Sequence, residues 1–259
     1  MPDFVIGLTY DGAGFHGWQR QTELPTVQGA LEYALGRVAN TPTNIRVAGR
    51  TDAGVHATGQ VAAFSSETPR RLHDWHRGLN ALTPDGITVN WVVAAGEGFH
   101  PRYSATARRY IYVYHDIGQV HPMLAKRVWG CQPLDADAMH RAAQILVGEH
   151  DFSSFRAAGC QSLSPMRRVN RLTVSRQGEF VVLDIEANAF VLHMVRNIAA
   201  GLMAIGSGQN LMSIEELLLL RDRSLLAPTA PPFGLYLVDV SYPGLNLPEP
   251  ATIPFITHR

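Results

Sequence analysis

Residues 45–65 read IRVAGRTDAGVHATGQVAAFS. Ile45–Gly49 is a short apolar run, Arg50–Val55 has the composition of a tight turn, and Gly59–Ser65 is a second strand. Helical patterns flank this pair. Upstream, Val27, Ala30, Leu31, Ala34, Leu35 and Val38 share one helical face, with Thr26 as N-cap and Pro42 beyond the end. Downstream, Pro69–Leu82 places Leu72, Trp75 and Leu79 inward. Asp3–Tyr10 and Ile87–Ala94 supply outer strands, so the first half reads β-α-β-β-α-β.

The second half follows the same order. Ser104–Asp116 is a strand with Tyr110, Tyr112 and Tyr114 on one face and Ile111 and Val113 on the other. Asp135 caps a helix carrying Met139, Ala142, Ala143, Leu146 and Val147. Asn170–Ser175 and Phe180–Ala187 form a hairpin around Gln177-Gly178. A helix then runs from Val191 to Met203, a shorter one starts at the capping-box pair Ser213 and Glu216, and Leu235–Tyr242 closes as a strand. The expected fold class is α+β, as two β-α-β-β-α-β sandwiches. The expected domains are 1–100 and 101–259, with the boundary near Glu97–Arg102 and an extended tail from about Pro243.

The 259 residues are 46% hydrophobic and 17% charged, which excludes a disordered or collagen-like chain. The 22 basic and 22 acidic residues cancel, which by itself argues against a protein that simply coats nucleic acid or an anionic membrane. All the basic residues but Lys126 are Arg, whose planar fork suits phosphate and carboxylate, although genomic bias produces the same skew. Cys131 and Cys160 make no disulfide framework, and no CxxC, HxxxH or HExxH spacing suggests a metal. Neither a signal peptide nor a transmembrane run is legible, so a reducing cytoplasm is expected.

Two loops could carry chemistry. Gly12–Gly17 spells GxGxxG after a strand, but a dinucleotide site needs a helix to open there, and this helix waits until Thr26. A nucleotide cofactor is therefore not expected. Trp18 and Gln19, read as exposed, would suit contact with a polymer. In the second loop Asp52 follows Arg50 by two residues. One reading is an Asp-x-Gly turn bonding its own backbone; the other is a carboxylate held ionised by Arg as nucleophile or base. A lone carboxylate argues against ordinary glycoside hydrolysis. Spacing does not choose between these readings.

Gly49-Arg50-Thr51-Asp52-Ala53-Gly54-Val55-His56-Ala57 resembles the signature of the TruA-type tRNA pseudouridine synthases. So do Tyr10–Gly12 with Gly17–Arg20, Ala105–Tyr110, Asn188–Phe190 with His193–Asn197, and Gly234–Leu237, in the family's order. Ala13-Gly14 departs from the pattern, where a Ser and a bulkier residue are expected. The resemblance implies isomerisation of uridine to pseudouridine at positions 38, 39 and 40 of the tRNA anticodon stem-loop, with no metal or cofactor. It implies that Asp52 is the essential carboxylate, that Arg196 pairs with it, and that Tyr110 stacks on the uracil. It also implies that Arg50 helps hold the base out of its stem and that Leu235 lines the uracil pocket. It further implies ferredoxin/RRM-like sandwiches related by a pseudo-twofold, sheets joined around a central cleft, and a homodimer holding tRNA.

Read without the resemblance, Arg196 is an ordinary surface helix residue, and Tyr110 is a core or sheet-surface aromatic. Arg108 and Arg109 adjoin Tyr110 and are further RNA-contact candidates. Arg70-Arg71, Arg77, Lys126-Arg127, Arg167-Arg168 and Arg171 are either phosphate contacts or solvated faces. The competing reading is a non-catalytic tandem RRM-like RNA-binding protein. An RRM needs closely spaced aromatics on its third strand, where Gln60–Ser65 offers only Phe64.

Overall fold

The computed structural model describes residues 3–96, 98–209 and 212–257. It is mixed α+β and divides into two units. The first runs through Thr106 and takes in Tyr236–Pro254; the second is Ala107–Leu235 with Phe255–Thr257. The boundary expected from the sequence began at Glu97, which lies outside the described residues. The grouping of contacts changes between Thr106 and Ala107.

In the first unit β1 (Asp3–Tyr10) leads to α1 (Val27–Ala39), β2 (Ile45–Val47), β3 (His56–Ser65), α2 (Leu72–Leu82) and β4 (Ile87–Ala94). The sheet order is β4-β1-β3-β2, with every one of these pairings antiparallel. Phe4 stands opposite Phe64 on one side and Ala94 on the other, and Ile45 opposite Phe64. Helix α1 starts where the sequence places it, because Thr26 Oγ1 accepts from the Gly29 N–H at 3.3 Å. Asn40 closes it in the left-handed conformation.

Helix α2 begins at Leu72 rather than Pro69, and Leu72 is exposed rather than inward. Trp75 and Leu79 carry the inward stripe instead. The fully buried Trp75 ring sits edge-on 4.9 Å from Phe64 and 5.6 Å from Phe4, which seats α2 on β1 and β3.

The second unit contains β5 (Ala107–His115), β6 (Trp129–Gly130), α3 (Ala136–Ala143), β7 (Gly148–Asp151), β8 (Met166–Gln177), β9 (Phe180–Ala187), α4 (Met194–Gly206) and α5 (Ile214–Leu220). Its sheet runs β5-β9-β8-β7, with the short β6 parallel to β5. The β8–β9 hairpin turns at Gly178, whose φ is +61°. Asp135 and the Ser213–Glu216 capping box start their helices as the residue types demand. Strands β6 and β7 have no counterpart in the sequence pattern, being two and four residues long.

The tyrosine row of β5 is where this unit's core concentrates. Tyr112 and Tyr114 are fully buried with ring centroids 5.0 Å apart, and Trp129 packs on both. Each hydroxyl finds a carbonyl at 2.8 Å: Tyr112 donates to Pro231 and Tyr114 to Ala199 of α4. These bonds satisfy the polar end of each buried ring. α4 is buried around most of its circumference, which suits a sequence as apolar as MVRNIAAGLMAIG.

The closing strand β10 (Leu235–Ser241) pairs in parallel with β3 of the first unit, Tyr236 opposite His56 and Leu237 opposite Ala57. Gly59 permits this approach, since a Cβ there would run into the Val238 carbonyl. Trp75→Ala is expected to cost about 3–5 kcal/mol, read as a lower urea midpoint; an unchanged midpoint would show that α2 is not anchored through this ring.

Candidate active site

Asp52 sits half-buried in a turn closed by the Val55 N–H donating to the Asp52 carbonyl at 3.1 Å. Gly54 takes φ +80° within it. Arg50 is exposed two residues earlier, and Thr51 between them is buried. So the Asp-x-Gly segment does form a tight turn. Its carboxylate stands at the boundary of core and solvent, where a reacting group is reachable.

The turn does not stand alone. The Trp18 N–H donates to the Thr51 carbonyl at 3.0 Å, and the Gly54 N–H reaches the Phe15 carbonyl at 3.4 Å. Gly17 lies between these bonds with φ +86°, and a Cβ there would stand 2.9 Å from the Thr51 carbonyl oxygen and 3.0 Å from the Ala53 nitrogen. Only glycine fits both the conformation and the gap. The Gly-rich loop is therefore a brace for the Asp52 turn. Its Gly12–Gly14 stretch is one 3-10 turn capped by the Asp11 side chain, and no helix opens at its end.

Trp18 corrects the expectation of an exposed residue. It is 1% exposed and packs 6.1 Å from the Tyr10 ring. Its indole fills the space beneath the brace, so it is core; Gln19 beside it is exposed. His56 is a further residue that the sequence alone did not single out. Its Nδ1 lies 3.1 Å from both the Asp11 carboxylate and the Gly12 N–H, and its ring stacks on Tyr236 at 4.7 Å. His56 thus ties the start of the Gly-rich loop to the first residue of β3. The signal for it was its place in the quoted 49–57 segment; no spacing rule pointed to it.

In the second unit Tyr110 is the half-exposed end of the tyrosine row, with Phe190 edge-on at 5.0 Å. That contact holds the ring's orientation while leaving part of its surface open. Arg196, in the first turn of α4, donates from Nε to the Ala230 carbonyl at 2.8 Å, and the Ala230 N–H returns to the Arg196 carbonyl at 3.4 Å. Burial pushes the Tyr112 hydroxyl well above its usual pKa, and the Arg196 charge pulls partly against this.

The neighbouring Asn197 is fully buried. It donates to the Phe155 carbonyl at 2.8 Å and accepts from Arg223 at 3.1 Å and Thr229 at 2.8 Å. This hub was missed because Asn in an apolar helix has no sequence signature of its own. Leu235 is 6% exposed at the start of β10.

Arg109 is engaged within its own unit. Its fork is bidentate to Asp184, at 2.9 and 2.6 Å, and Arg171 joins the same carboxylate at 3.2 Å. Both guanidinium groups thereby pair with one nearly buried acid. Arg108 donates to the Asn188 carbonyl at 3.1 Å. Overall the first unit groups Asp52 with Arg50 and Gln19, and the second contains Tyr110, Arg196 and Leu235. No group of His, Cys, Asp and Glu among the described residues is arranged to hold a metal ion.

The model of a family described as tRNA pseudouridine synthase matches residues 8–104 and 142–243. A protein of Aeromonas hydrophila named tRNA pseudouridine synthase A is 53% identical over 248 residues, covering 95% of this chain and 92% of that protein. One of the same name from Shigella boydii is 52% identical over 249 residues, with the same coverage of each. Among solved structures, a Cbf5-Nop10-Gar1 complex matches 77% of this chain and 45% of its own at 12% identity, with a TM-score of 0.38.

Gly17→Ala is expected to destabilise the protein by about 1–2 kcal/mol through its left-handed backbone alone, with additional loss from crowding against Thr51. A melting temperature equal to wild type would show that the brace is not as tight as its geometry.

Proposed function

The chain belongs to the tRNA pseudouridine synthase family, isomerases of tRNA uridine, and we propose that it acts at positions 38, 39 and 40 of the anticodon stem-loop with Asp52 as its essential carboxylate. The observation that carries the reading is the Asp52 turn itself, braced through backbone by a loop in which Gly12 and Gly17 leave no room for side chains. It lies within the first matched segment, and the second matched segment contains Arg196 and Leu235.

The reaction breaks the C1′–N1 bond of uridine and forms C1′–C5. N1 gains a proton and C5 loses one, so atoms and electrons balance without an oxidant or a second substrate. The ionised Asp52 carboxylate acts at the nucleoside, whether at C1′, at the uracil ring or on a ribose proton. Arg196 pairs with that carboxylate and keeps it ionised and oriented. Tyr110 is the platform that retains the uracil while it rotates, a role served by a ring half open to solvent and steadied by Phe190. Leu235 supplies an apolar wall, and Arg50 holds the nucleotide out of its stem at a cost of a few kcal/mol of lost stacking.

The proposal extends to architecture. The two units are ferredoxin-like sandwiches related by a pseudo-twofold, with their sheets joined around a central cleft. The support is that each begins β-α-β-β-α once the short strands β6 and β7 are set aside. The protein works as a homodimer on tRNA in the cytoplasm. The tandem RRM-like reading gains nothing from the structure, since Phe64 of β3 is fully buried against Trp75 and presents no stacking face.

The test is tritium release from tRNA transcripts labelled at uridine C5. The wild type should release tritium from transcripts carrying uridine at position 38, 39 or 40 alone. Asp52→Asn should release none while binding tRNA nearly as well. Absence of release by the wild type would overturn the positional assignment, and fast release by Asp52→Asn would overturn the assignment of the carboxylate.

A further inference from the structure

Three buried polar side chains lie behind the Asp52 turn and take no part in the chemistry above. Gln60 of β3 is fully buried, Tyr10 of β1 is 2% exposed and Thr51 is 7% exposed. Gln60 Nε2 donates to the Gly49 carbonyl at 2.7 Å and to the Tyr10 hydroxyl at 3.2 Å. Tyr10 and Thr51 Oγ1 are 2.9 Å apart.

The direction of the Gln60 bonds follows from the partners. The Gly49 carbonyl only accepts, so the nitrogen of the Gln60 amide must face it. The Val61 N–H only donates, and it meets Gln60 Oε1 at 3.2 Å, which agrees with that orientation. The second Nε2 hydrogen then goes to the Tyr10 oxygen. The Tyr10 and Thr51 hydroxyls close the chain, either of them able to donate. Burial pushes the Tyr10 hydroxyl up to about 12, so it stays protonated at any pH at which tRNA is handled.

This chain seizes Gly49 by its carbonyl and Thr51 by its hydroxyl, while Trp18 takes the Thr51 carbonyl from the other side. The residue that follows is Asp52. A buried polar network contributes little net stability compared with apolar packing of the same volume, but it specifies one geometry. Here that geometry is the height and direction from which Asp52 leaves the sheet.

We propose that Tyr10, joined to Gln60 and Thr51, is a positioning residue for the reacting carboxylate of Asp52. The proposal rests on the reading of Asp52 given above. Tyr10→Phe and Thr51→Val each remove one hydroxyl at nearly constant shape, and Thr51→Ser retains it. The measurement is single-turnover tritium release at saturating tRNA, beside tRNA affinity and the melting temperature.

Tyr10→Phe and Thr51→Val are expected to slow the chemical step about 10- to 100-fold, the scale of a small misplacement of a reacting group. Affinity should change by no more than about twofold. Thr51→Ser should recover most of the rate. The double variant should be no slower than either single one, because both break the same chain. Wild-type rates in both variants would overturn the proposal. So would losses that follow tRNA affinity or melting rather than the chemical step, or that multiply in the double variant. If Tyr10→Phe fails to fold, the contrast between Thr51→Val and Thr51→Ser decides the question alone. Full activity of Asp52→Asn would remove the carboxylate reading and this proposal with it. An inactive Asp52→Asn beside a fully active Tyr10→Phe would remove only the network.

Discussion

The approach of Gly17 to the backbone of Thr51–Ala53 is the constraint around which the first unit is arranged. Two loops that are far apart in the chain touch there without an intervening side chain. Such contact is available only to glycine, and only with φ near +86°. Tyr10 and Trp18 fill the volume beneath, and the pairing of β1 with β3 brings Tyr10 opposite Ala57. The loop that presents Asp52 is therefore an outgrowth of the sheet, held by backbone bonds whose positions the core dictates. The role proposed for Asp52 gains from this, since a rigid mount removes the cost of ordering a reacting group at each turnover.

Several arginines pair with buried acids or amides. Arg109 and Arg171 share Asp184, Arg176 holds Asp116 at 3.0 and 2.6 Å, and Arg223 reaches Asn197. Asp184 and Asp116 are both nearly buried, and a buried carboxylate is tolerable only when paired and hydrogen-bonded. The planar fork meets a carboxylate at two points, which a lysine cannot do. Zero net charge is thus partly the sum of internal pairs. It says little about which surface meets a nucleic acid.

Much of the fold was legible where local rules act. The caps Thr26, Asp135 and Ser213, the turn at Gly178 and the inward stripe of α1 follow from hydrogen-bonding groups and periodicity within a few residues. Trp18 and Leu72 were misread for one reason. Trp18 lies in a loop without periodicity, and Leu72 in a helix's first turn. In each case burial is set by what packs against the residue from elsewhere in the chain.

The sequence by itself determined the order of elements, the tight turn at Asp52 and the family signature along the chain, because each is written in contiguous residues. Tertiary structure alone decided that Gly17 braces Asp52, that Gln60 and Tyr10 reach the same turn, and that β10 pairs with β3. Those contacts join positions from 11 to 180 residues apart. No local pattern encodes them, since close packing selects partners by shape and hydrogen-bond direction once the sheet has formed.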